Sequence, residues 1–386
     1  MLKASILRSI SELRRRSAAW DDLWLRSDDT LASSRAEPLA LWLEQFAAGR
    51  TFRAIVIDDG NSMLAALPLI ERRWAGPFHA AALPTNEWPG GGALLWDQQC
   101  DAPAVGQRLV DAMRRLPWSL LLLDGALPER GSWQRFMLAL QNGRVPCDLR
   151  TRWHAACLPI DHDWPAAVAQ LSRKHRQRMT SARRKLDDLG GMSFQRFALS
   201  DDEGLEPQLL EAFSIEDHGW KGAAGTAVLR VPGIFAYLVQ ACRILAKWGN
   251  VHLALLRAGE TPIAFCLGIV SKGVWHSCKI GYDAAFAEVL PGHLLHYCLQ
   301  EESHGDASCQ AIDYMGPATE YHRHWRPGAY PVARLAVAPR GMLGKLALWS
   351  YGRFKGESLD GSTTMPDFAL PTFEPIPIGS NFVGLR

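Results

Sequence analysis

The feature that most constrains the fold is a pattern that occurs twice along the chain. Residues 52–70, FRAIVIDDGNSMLAALPLI, contain two apolar runs separated by the turn-forming segment DDGNS. Residues 251–270, VHLALLRAGETPIAFCLGIV, have the same form, with the turn at Gly259 to Pro262. Two runs rich in branched and aliphatic residues around such a turn are typical of a β-hairpin.

The similarity continues beyond both hairpins. Gly90 to Gly92 are followed by a helical stretch, AVGQRLVDAMRRL, and by an apolar run that ends at Asp124. In the second half, Pro291-Gly292 is followed by HLLHYCLQEE and by a shorter run that ends at Asp313. We interpret the two series as two copies of one α/β unit. Each copy is expected to be a mixed β-sheet flanked by helices, because the helices must connect strands across a sheet face.

Chain length agrees with two units, since domains average roughly 150 residues and 386 residues exceed the usual size of a single core. We expect an N-terminal unit at 1–150 and a second unit at 151–335, with its core at 170–325. The remaining residues, 336–386, contain a basic helix candidate, GMLGKLALWSYGRFK, and a proline-rich tail.

Composition narrows the class of protein. Hydrophobic residues make up 48% and charged residues 21%, as in globular proteins, and the net charge of +2 excludes a strong overall field for polyanions. The eight cysteines show no CxxC and no metal-ligand spacing, which indicates reduced thiols and no metal site. No segment reaches the ~18 apolar residues of a membrane span. These features predict a cytoplasmic protein; peripheral membrane contact through an amphipathic N-terminal helix is the alternative.

A strongly basic helix is predicted between the two copies. In LSRKHRQRMTSARRKLDDLGG, residues 171–191, apolar positions recur every three or four residues and seven cations occupy the rest of the surface. Such a run is most often a solvated face. The functional alternative is a platform for phosphate or an anionic acceptor, to which Arg176 would contribute, because guanidinium groups bind phosphate with paired hydrogen bonds. Nucleic acid is disfavoured, since no aromatic residues are interleaved for base stacking.

The second copy offers a candidate anion site where its helix begins. A helix that starts on glycine after a strand presents free backbone N–H groups, and its dipole adds positive potential. Pro291, Gly292, His293 and Leu294 would therefore face a pyrophosphate. The plainer interpretation is that proline and glycine only punctuate the helix.

Several short motifs in order carry a resemblance to a known family. They are LSRKHRQRMTSARRKL, GWKGAAGTA, PIAFCLGI, CKIGYDAAFAEVLPGHLL, AIDYMG and YHRHW. The region at roughly 170–325 resembles the acetyltransferase domain of the CelD/BcsL family, GNAT-type proteins associated with bacterial cellulose and exopolysaccharide biosynthesis. The first half resembles the N-terminal region of the same proteins. The sequence departs from the family pattern at Leu290 and His322, where the family has serine and lysine, and it lacks the fuller glycine-rich loop.

The resemblance implies a tandem of GNAT-like units, the first of them degenerate, and direct acyl transfer from acetyl-CoA or another acyl-CoA to an amine or hydroxyl. The duplicated unit is also similar to Fem-type peptidyltransferases, which use aminoacyl-tRNA as donor. Acyl transfer requires a base for the acceptor and an acid for the leaving thiolate. Asp283 and Asp313 are the base candidates and Tyr321 is the acid candidate. The alternative roles are strand-end caps for the aspartates and packing for the tyrosine.

Four further residues are candidates for contact with substrate. Trp220 and Lys221 would meet the acceptor or a cofactor phosphate, and Lys279 and Tyr282 precede the anion site. A structural tryptophan and solvated lysines are the alternatives.

Three functions follow from these features. The first is an acyl-CoA-dependent acyltransferase, for N- or O-acetyl transfer, acting on a polysaccharide precursor or an envelope-related small molecule. The second is a Fem-like aminoacyl-tRNA-dependent transferase, which alone would involve tRNA. The third is an inactive binding subunit of an exopolysaccharide system, suggested by the missing glycine-rich loop.

Overall fold

The computed structural model describes residues 1–73, 79–88 and 90–354. Two compact units are present: Met1–His154 together with the segment from Tyr330 onward, and Ala155–Ala329. The chain therefore returns to the first unit after completing the second. The predicted helix after residue 336 is observed at Gly341–Phe354. The proline-rich tail predicted beyond it lies outside the described residues.

Thirteen helices and thirteen strands are found in the described part of the chain. The helices are α1 (Ile10–Arg15), α2 (Ser17–Arg26), α3 (Ala36–Phe46), α4 (Ala102–Met113), α5 (Gly131–Asn142), α6 (Trp164–Gln170), α7 (Arg173–Asp187), α8 (Leu205–Asp217), α9 (Trp220–Ala223), α10 (Ile234–Ala246), α11 (Pro291–Gly305), α12 (Glu320–Arg323) and α13 (Gly341–Phe354). The strands are β1 (Lys3–Leu7), β2 (Phe52–Asp58), β3 (Met63–Arg72), β4 (Ala80–Ala82), β5 (Leu95–Trp96), β6 (Leu120–Ala126), β7 (Cys147–Pro159), β8 (Met192–Ala198), β9 (Val251–Ala258), β10 (Thr261–Ser271), β11 (Val274–Tyr282), β12 (Ala311–Pro317) and β13 (Gly328–Val337). Short 3-10 helices occupy Ala32–Ser34, Val228–Arg230 and Ala284–Val289.

The first unit is built on a mixed sheet with strand order β1-β2-β3-β4-β6-β13, and β5 pairs with β3. The predicted hairpin is β2–β3, and its turn is held by the Asp59 carboxylate, which accepts from the Asn61 and Ser62 amides at 2.8 Å each. The parallel pair β4–β6 requires a crossover, and α4 lies between these strands in the sequence. The side chains of α4 and α5 pack with the strands in one apolar core.

The second unit repeats this plan, with strand order β7-β12-β11-β10-β9-β8. Its hairpin is β9–β10, and α11 connects the parallel strands β11 and β12. Apart from the short strand β5, which lies between β4 and α4, the series β2-β3-β4-α4-β6 and β9-β10-β11-α11-β12 therefore correspond in order. The predicted pair of mixed sheets, each flanked by helices, is confirmed, and the repeat noted in the sequence is a repeat of structure.

The basic segment forms α7 as predicted. The Ser172 hydroxyl accepts from the His175 amide at 3.1 Å and so caps the start of the helix. Five of the six members of the apolar stripe are buried: Leu171, just before the helix, and His175, Met179, Ala182 and Leu186 within it. The helix ends at Asp187, so Leu189 lies beyond it and is 49% exposed. Most of the cations project from the opposite face, which leaves them exposed to solvent.

Within the described residues no single helix is long and apolar enough to cross a bilayer. The bent pair Trp220–Arg230 and Ile234–Ala246, at 64°, meets the length and composition criteria together. Six residues of α10 within this pair are buried in the second unit, as in a core helix.

Candidate functional site

The second unit contains a separation between two parallel strands. Strands β11 and β12 pair at only three positions, Val274 with Ala311, Trp275 with Ile312 and His276 with Asp313. Strand β11 continues to Tyr282 and keeps its pairing with β10 over this length. Strand β12 changes register against β7 between Asp313 and Pro317. Past His276, therefore, one edge of β11 has no strand partner among the described residues, and the Ile280 carbonyl there accepts from Lys221 Nζ instead.

A cavity of about 350 Å³ lies at this end of β11. Its walls come from the end of α8 with α9, from β10, from β11, and from the start of α11 together with α12. The lining residues are Glu216, Gly219, Trp220, Lys221, Phe265, Cys266, Ile280, Gly281, Tyr282, Ala287, Leu290, Pro291, Gly292, His293, Leu295, His296 and Tyr321. Most of them are apolar or aromatic, and the few polar groups are concentrated on Glu216, Lys221 and the histidine–tyrosine side. This composition is typical of a small-molecule site.

The start of α11 forms one wall of the cavity. Some of the backbone amides that were predicted to be free there are hydrogen-bonded within the helix. Leu290 precedes the helix in the left-handed conformation, with φ 51°. Its carbonyl oxygen accepts from the His293 amide at 3.0 Å and from the Leu294 amide at 3.1 Å. Pro291 has no N–H, so the Gly292 amide is the one at this helix start that donates to no group in the described residues. Of the groups predicted to bind an anion, only the Gly292 amide and the positive potential of the helix dipole are left for a ligand.

Tyr321 connects the start of α11 to its first full turn. The Tyr321 hydroxyl donates to the Gly292 carbonyl at 2.8 Å and is also in hydrogen-bond contact with His296 Nδ1. A phenol has one proton to donate, so both contacts are satisfied when His296 donates from Nδ1 and carries its lone pair on Nε2. This nitrogen is buried and has no hydrogen-bond partner in the described part of the chain.

Burial sets the protonation of this pair. It raises the pKa of Tyr321 well above the ordinary phenol value, so the hydroxyl keeps its proton at neutral pH. It lowers the pKa of His296 to about 3, with smaller contributions from the neighbouring His322 and His293, so the imidazole is neutral. The site thus holds two neutral side chains in contact, with His296 Nδ1 donating to the Tyr321 oxygen.

An imidazole cluster lies beside the cavity. The ring of His175 stacks on His324 with centroids 4.9 Å apart and meets His293 at 5.5 Å and Trp325 at 4.7 Å. Burial lowers the pKa of His175 and of His293 to about 4, helped by the mutual repulsion of the imidazolium forms. Because His175 belongs to α7 and His293 to α11, the cluster fixes the basic helix next to the cavity wall.

The opposite wall contains an ion pair. Glu216 is 2% exposed, and its carboxylate accepts from Lys221 Nζ at 2.7 Å and from the Val228 amide at 2.8 Å. Lys221 Nζ also donates to the Ile280 carbonyl at 2.8 Å. The short helix α9 is therefore tied to the end of β11. Trp220, next to Lys221, is 64% exposed and leaves its indole free to contact an acceptor.

Seven of the residues singled out in the sequence meet at the cavity. Trp220, Lys221, Tyr282, Pro291, Gly292, His293 and Tyr321 all line it. They come from segments as far apart as Trp220 and Tyr321, so their convergence depends on the fold and not on proximity in the chain.

The other five predicted residues lie outside the cavity lining. The Asp283 carboxylate caps the 3-10 helix, accepting from the Ala285 amide at 2.8 Å, and lies 3.3 Å from His218 Nδ1. Asp313 is buried and accepts from the Met315 amide at 2.8 Å. Leu294 is a core residue. Arg176 donates to three carbonyl groups at the end of α6, and Lys279 lies in β11 opposite Leu267.

Two polar residues of the cavity were missed in the sequence. His296 follows His293 at a spacing of three, which places both on one helix face, and this spacing was an available signal. Glu216 ends an ordinary amphipathic helix, and nothing in the local sequence distinguishes it. In the described residues no group of three or more His, Cys, Asp or Glu side chains could hold a metal ion.

Three structures illustrate the similarity to known proteins. A conserved protein of unknown function from Bacteroides thetaiotaomicron is 11% identical, with a TM-score of 0.52, over 88% of this chain and all of its own. FemX is 10% identical, with a TM-score of 0.54, over 86% and 96%. The C-terminal domain (DUF2156) of a protein named as a lysylphosphatidylglycerol synthetase, from Agrobacterium fabrum, is 13% identical, with a TM-score of 0.50, over 89% and 97%. At these identities the similarity is one of fold.

Sequence comparison addresses the second unit. No curated protein matches the chain significantly. Residues 173–323 match the family model described as acetyltransferase (GNAT) domain, and this region contains every lining residue of the cavity and both strands that separate beside it. This match over residues 173–323, together with the fold, supports an acyltransferase.

Proposed function

We propose that the protein transfers an acyl group from an acyl-CoA to an amine or hydroxyl of a polysaccharide precursor or another envelope-related small molecule. The observation that supports this most is the convergence of seven predicted residues on one cavity at the open edge of β11. The resemblance of the same segments to the CelD/BcsL family favours a saccharide acceptor. The aromatic and polar lining agrees with such an acceptor, because sugar rings pack on aromatic faces and hydrogen-bond at their edges.

The residues present fit an acyl-CoA donor. Past His276, the edge of β11 that lacks a strand partner would offer backbone groups to the amide-containing pantetheine arm, apart from the Ile280 carbonyl, which accepts from Lys221. The Gly292 amide and exposed cations of α7 would hold the phosphates, and α7 is close to this point because Lys185 Nζ lies 4.0 Å from Glu288 Oε2. An acyl-CoA supplies an electrophilic thioester carbonyl when bound.

Tyr321 is the proposed acid of the reaction. Its phenol keeps its proton at neutral pH, as shown above, and it lines the cavity. The departing thiolate must gain a proton, and a neutral phenol within the cavity is suited to give it. Asp283 and Asp313 stay predictions for the base, with their carboxylates engaged by backbone amides outside the lining.

The test is thiol release from a series of acyl-CoAs in the presence of amino sugars and other saccharide acceptors. Wild-type protein is expected to release thiol with at least one donor, and the same donor should raise its melting temperature. Tyr321→Phe is expected to lower kcat by about 10²-fold or more. Tyr297→Phe is the matched control, since Tyr297 lies outside the cavity lining and packs on Trp164 and Arg183. Absence of both thiol release and a melting shift across all donors would refute the proposal.

A second candidate is transfer of an aminoacyl group from aminoacyl-tRNA. The observation in its favour is the row of exposed cations on α7 beside the start of α11, on a chain whose fold is similar to FemX. Binding of this kind depends on phosphate contacts and weakens steeply with salt. Aminoacyl transfer without any acyl-CoA turnover would favour this candidate, and salt-independent or absent tRNA binding would remove it.

A further inference from the structure

The Tyr321–His296 pair has a defined arrangement of protons. The Gly292 carbonyl takes the Tyr321 proton, so the proton between Tyr321 and His296 belongs to His296 Nδ1. The other ring nitrogen, Nε2, then carries a lone pair that nothing in the described residues engages. Since His296 lines the cavity and is 3% exposed, its Nε2 is an unengaged proton acceptor in the cavity wall, shielded from bulk water.

We propose that His296 accepts the proton lost by the attacking amine or hydroxyl, and that it acts together with Tyr321 as one proton relay. This inference rests on the proposed acyltransferase function and adds the residue that serves the acceptor. It assigns both ends of the proton transfer to two side chains in hydrogen-bond contact.

The relay balances in atoms and charge. The acceptor forms its bond to the thioester carbonyl carbon, and its proton moves to His296 Nε2. The proton on Nδ1 moves to the Tyr321 oxygen while the Tyr321 proton moves to the departing thiolate, so the C–S bond breaks to give a free thiol. The products are the acylated acceptor and CoA thiol. His296 ends with its proton on Nε2. When the products leave, a water molecule that enters the vacated cavity takes the Nε2 proton, Tyr321 returns a proton to Nδ1, and Tyr321 regains one from water, which restores the starting tautomer.

Burial explains why the two side chains must act together. The pKa of about 3 makes His296 a weak base by itself, because a charged imidazolium is poorly solvated between Tyr314, Tyr321, His322 and His293. In the relay the ring gains a proton on one nitrogen as it loses one from the other. It therefore carries no net charge at any stage, and the cost of burying an imidazolium is avoided.

Two substitutions separate the two functions of the ring. The His296→Asn amide lies near the position of Nδ1 and can still donate to Tyr321, but it has nothing at Nε2. The His296→Gln amide reaches toward Nε2 and loses the contact with Tyr321. Both are expected to lower kcat by about 10²-fold or more and to leave the KM for acyl-CoA within about threefold. His304→Asn is the matched control: His304 is buried on the same helix, outside the cavity lining, and hydrogen-bonds to the Gln300 carbonyl.

Two further measurements distinguish a relay from a packing role. The effects of substitutions at residues that act together in one step are not additive. The double variant His296→Asn/Tyr321→Phe should therefore be about as slow as the slower single variant. The rate of wild-type protein in mixtures of H₂O and D₂O should follow a curved proton inventory, as expected when more than one proton moves in the same step. The proton inventory is measured on wild-type protein, so it distinguishes a relay from a packing role even if a substitution prevents folding.

Failure of the relay can be distinguished from failure of the proposed acyltransferase function. Wild-type turnover with a linear inventory, or with His296→Asn retaining more than a third of wild-type kcat, would overturn the relay and leave the acyltransferase intact. Absence of wild-type turnover with every acyl-CoA would overturn both. Loss of kcat in both His296 variants, with the control active and a curved inventory, is the result that we expect.

Discussion

The buried imidazoles of the second unit should make its stability depend on pH, and His175 provides the clearest test. Its ring is 2% exposed, and neither nitrogen has a hydrogen-bond partner among the described residues. His175→Phe therefore removes a titrating group without removing a hydrogen bond, and it keeps an aromatic ring against His324 and Trp325.

The sign and size follow from the pKa of His175, which burial lowers from 6.5 to about 4. As the pH falls below about 6.5 the unfolded chain binds a proton that the folded protein does not yet bind, so folding stability decreases. The decrease levels off below about pH 4, where both states are protonated. A difference of about 2.5 pKa units corresponds to roughly 3 kcal/mol over the whole window, and to about 2 kcal/mol between about pH 7 and 4.5.

Urea unfolding at these two pH values measures the effect, with the m-value checked for constancy. Wild-type protein should lose about 2 kcal/mol more stability on acidification than His175→Phe. His154→Gln, at an exposed histidine, should follow the wild-type curve. Equal acid losses for wild type and His175→Phe would refute the reasoning, because they would mean that His175 titrates alike in the folded and unfolded states.

Two further predictions concern the stability of the folded protein. Gly268→Ala should destabilise the protein by about 1–3 kcal/mol, because an added Cβ would overlap the ring of Trp275, which is buried and cannot move aside. Gly305→Ala, where the added carbon meets nothing within 4 Å, should be neutral or stabilising; equal effects in urea unfolding would contradict the steric argument. Arg176→Ala should cost about 1–3 kcal/mol of stability, because three carbonyl groups of the preceding turn lose a charged donor, and should leave KM values unchanged. A raised KM at unchanged stability would instead restore the predicted contact of Arg176 with substrate.

The hairpins and the basic helix could be predicted because short stretches of sequence specify them. The turns at Asp59–Ser62 and Gly259–Glu260 were evident because their residue types specify a hairpin without help from the rest of the chain. The stripe of α7 was evident for the same reason, since helical periodicity is a short-range signal. Repetition of these local signals in the same order then predicted two units of one plan.

The site was only partly predictable because its shape depends on long-range pairing. The separation of β11 from β12 after His276 arises from a register between strands that are distant in sequence, and no residue pattern encodes it locally. The Asp283 carboxylate caps the 3-10 helix that follows β11, which is the alternative role that its position at a strand end predicted. Glu216 lines the cavity with Lys221 and the Val228 amide as partners, and the local sequence around Glu216 gives no sign of this position.

The open side of β11 also has a consequence for solubility. An unpaired strand edge is a template on which another extended chain can add, and proteins usually protect such edges with charge. Here the Lys221 ammonium group supplies this charge from inside the cavity. It donates a hydrogen bond to the Ile280 carbonyl of the edge, and its ion pair with Glu216 fixes its position. Lys221 therefore serves as a gatekeeper, and its replacement by an apolar residue should promote self-association as well as alter the site.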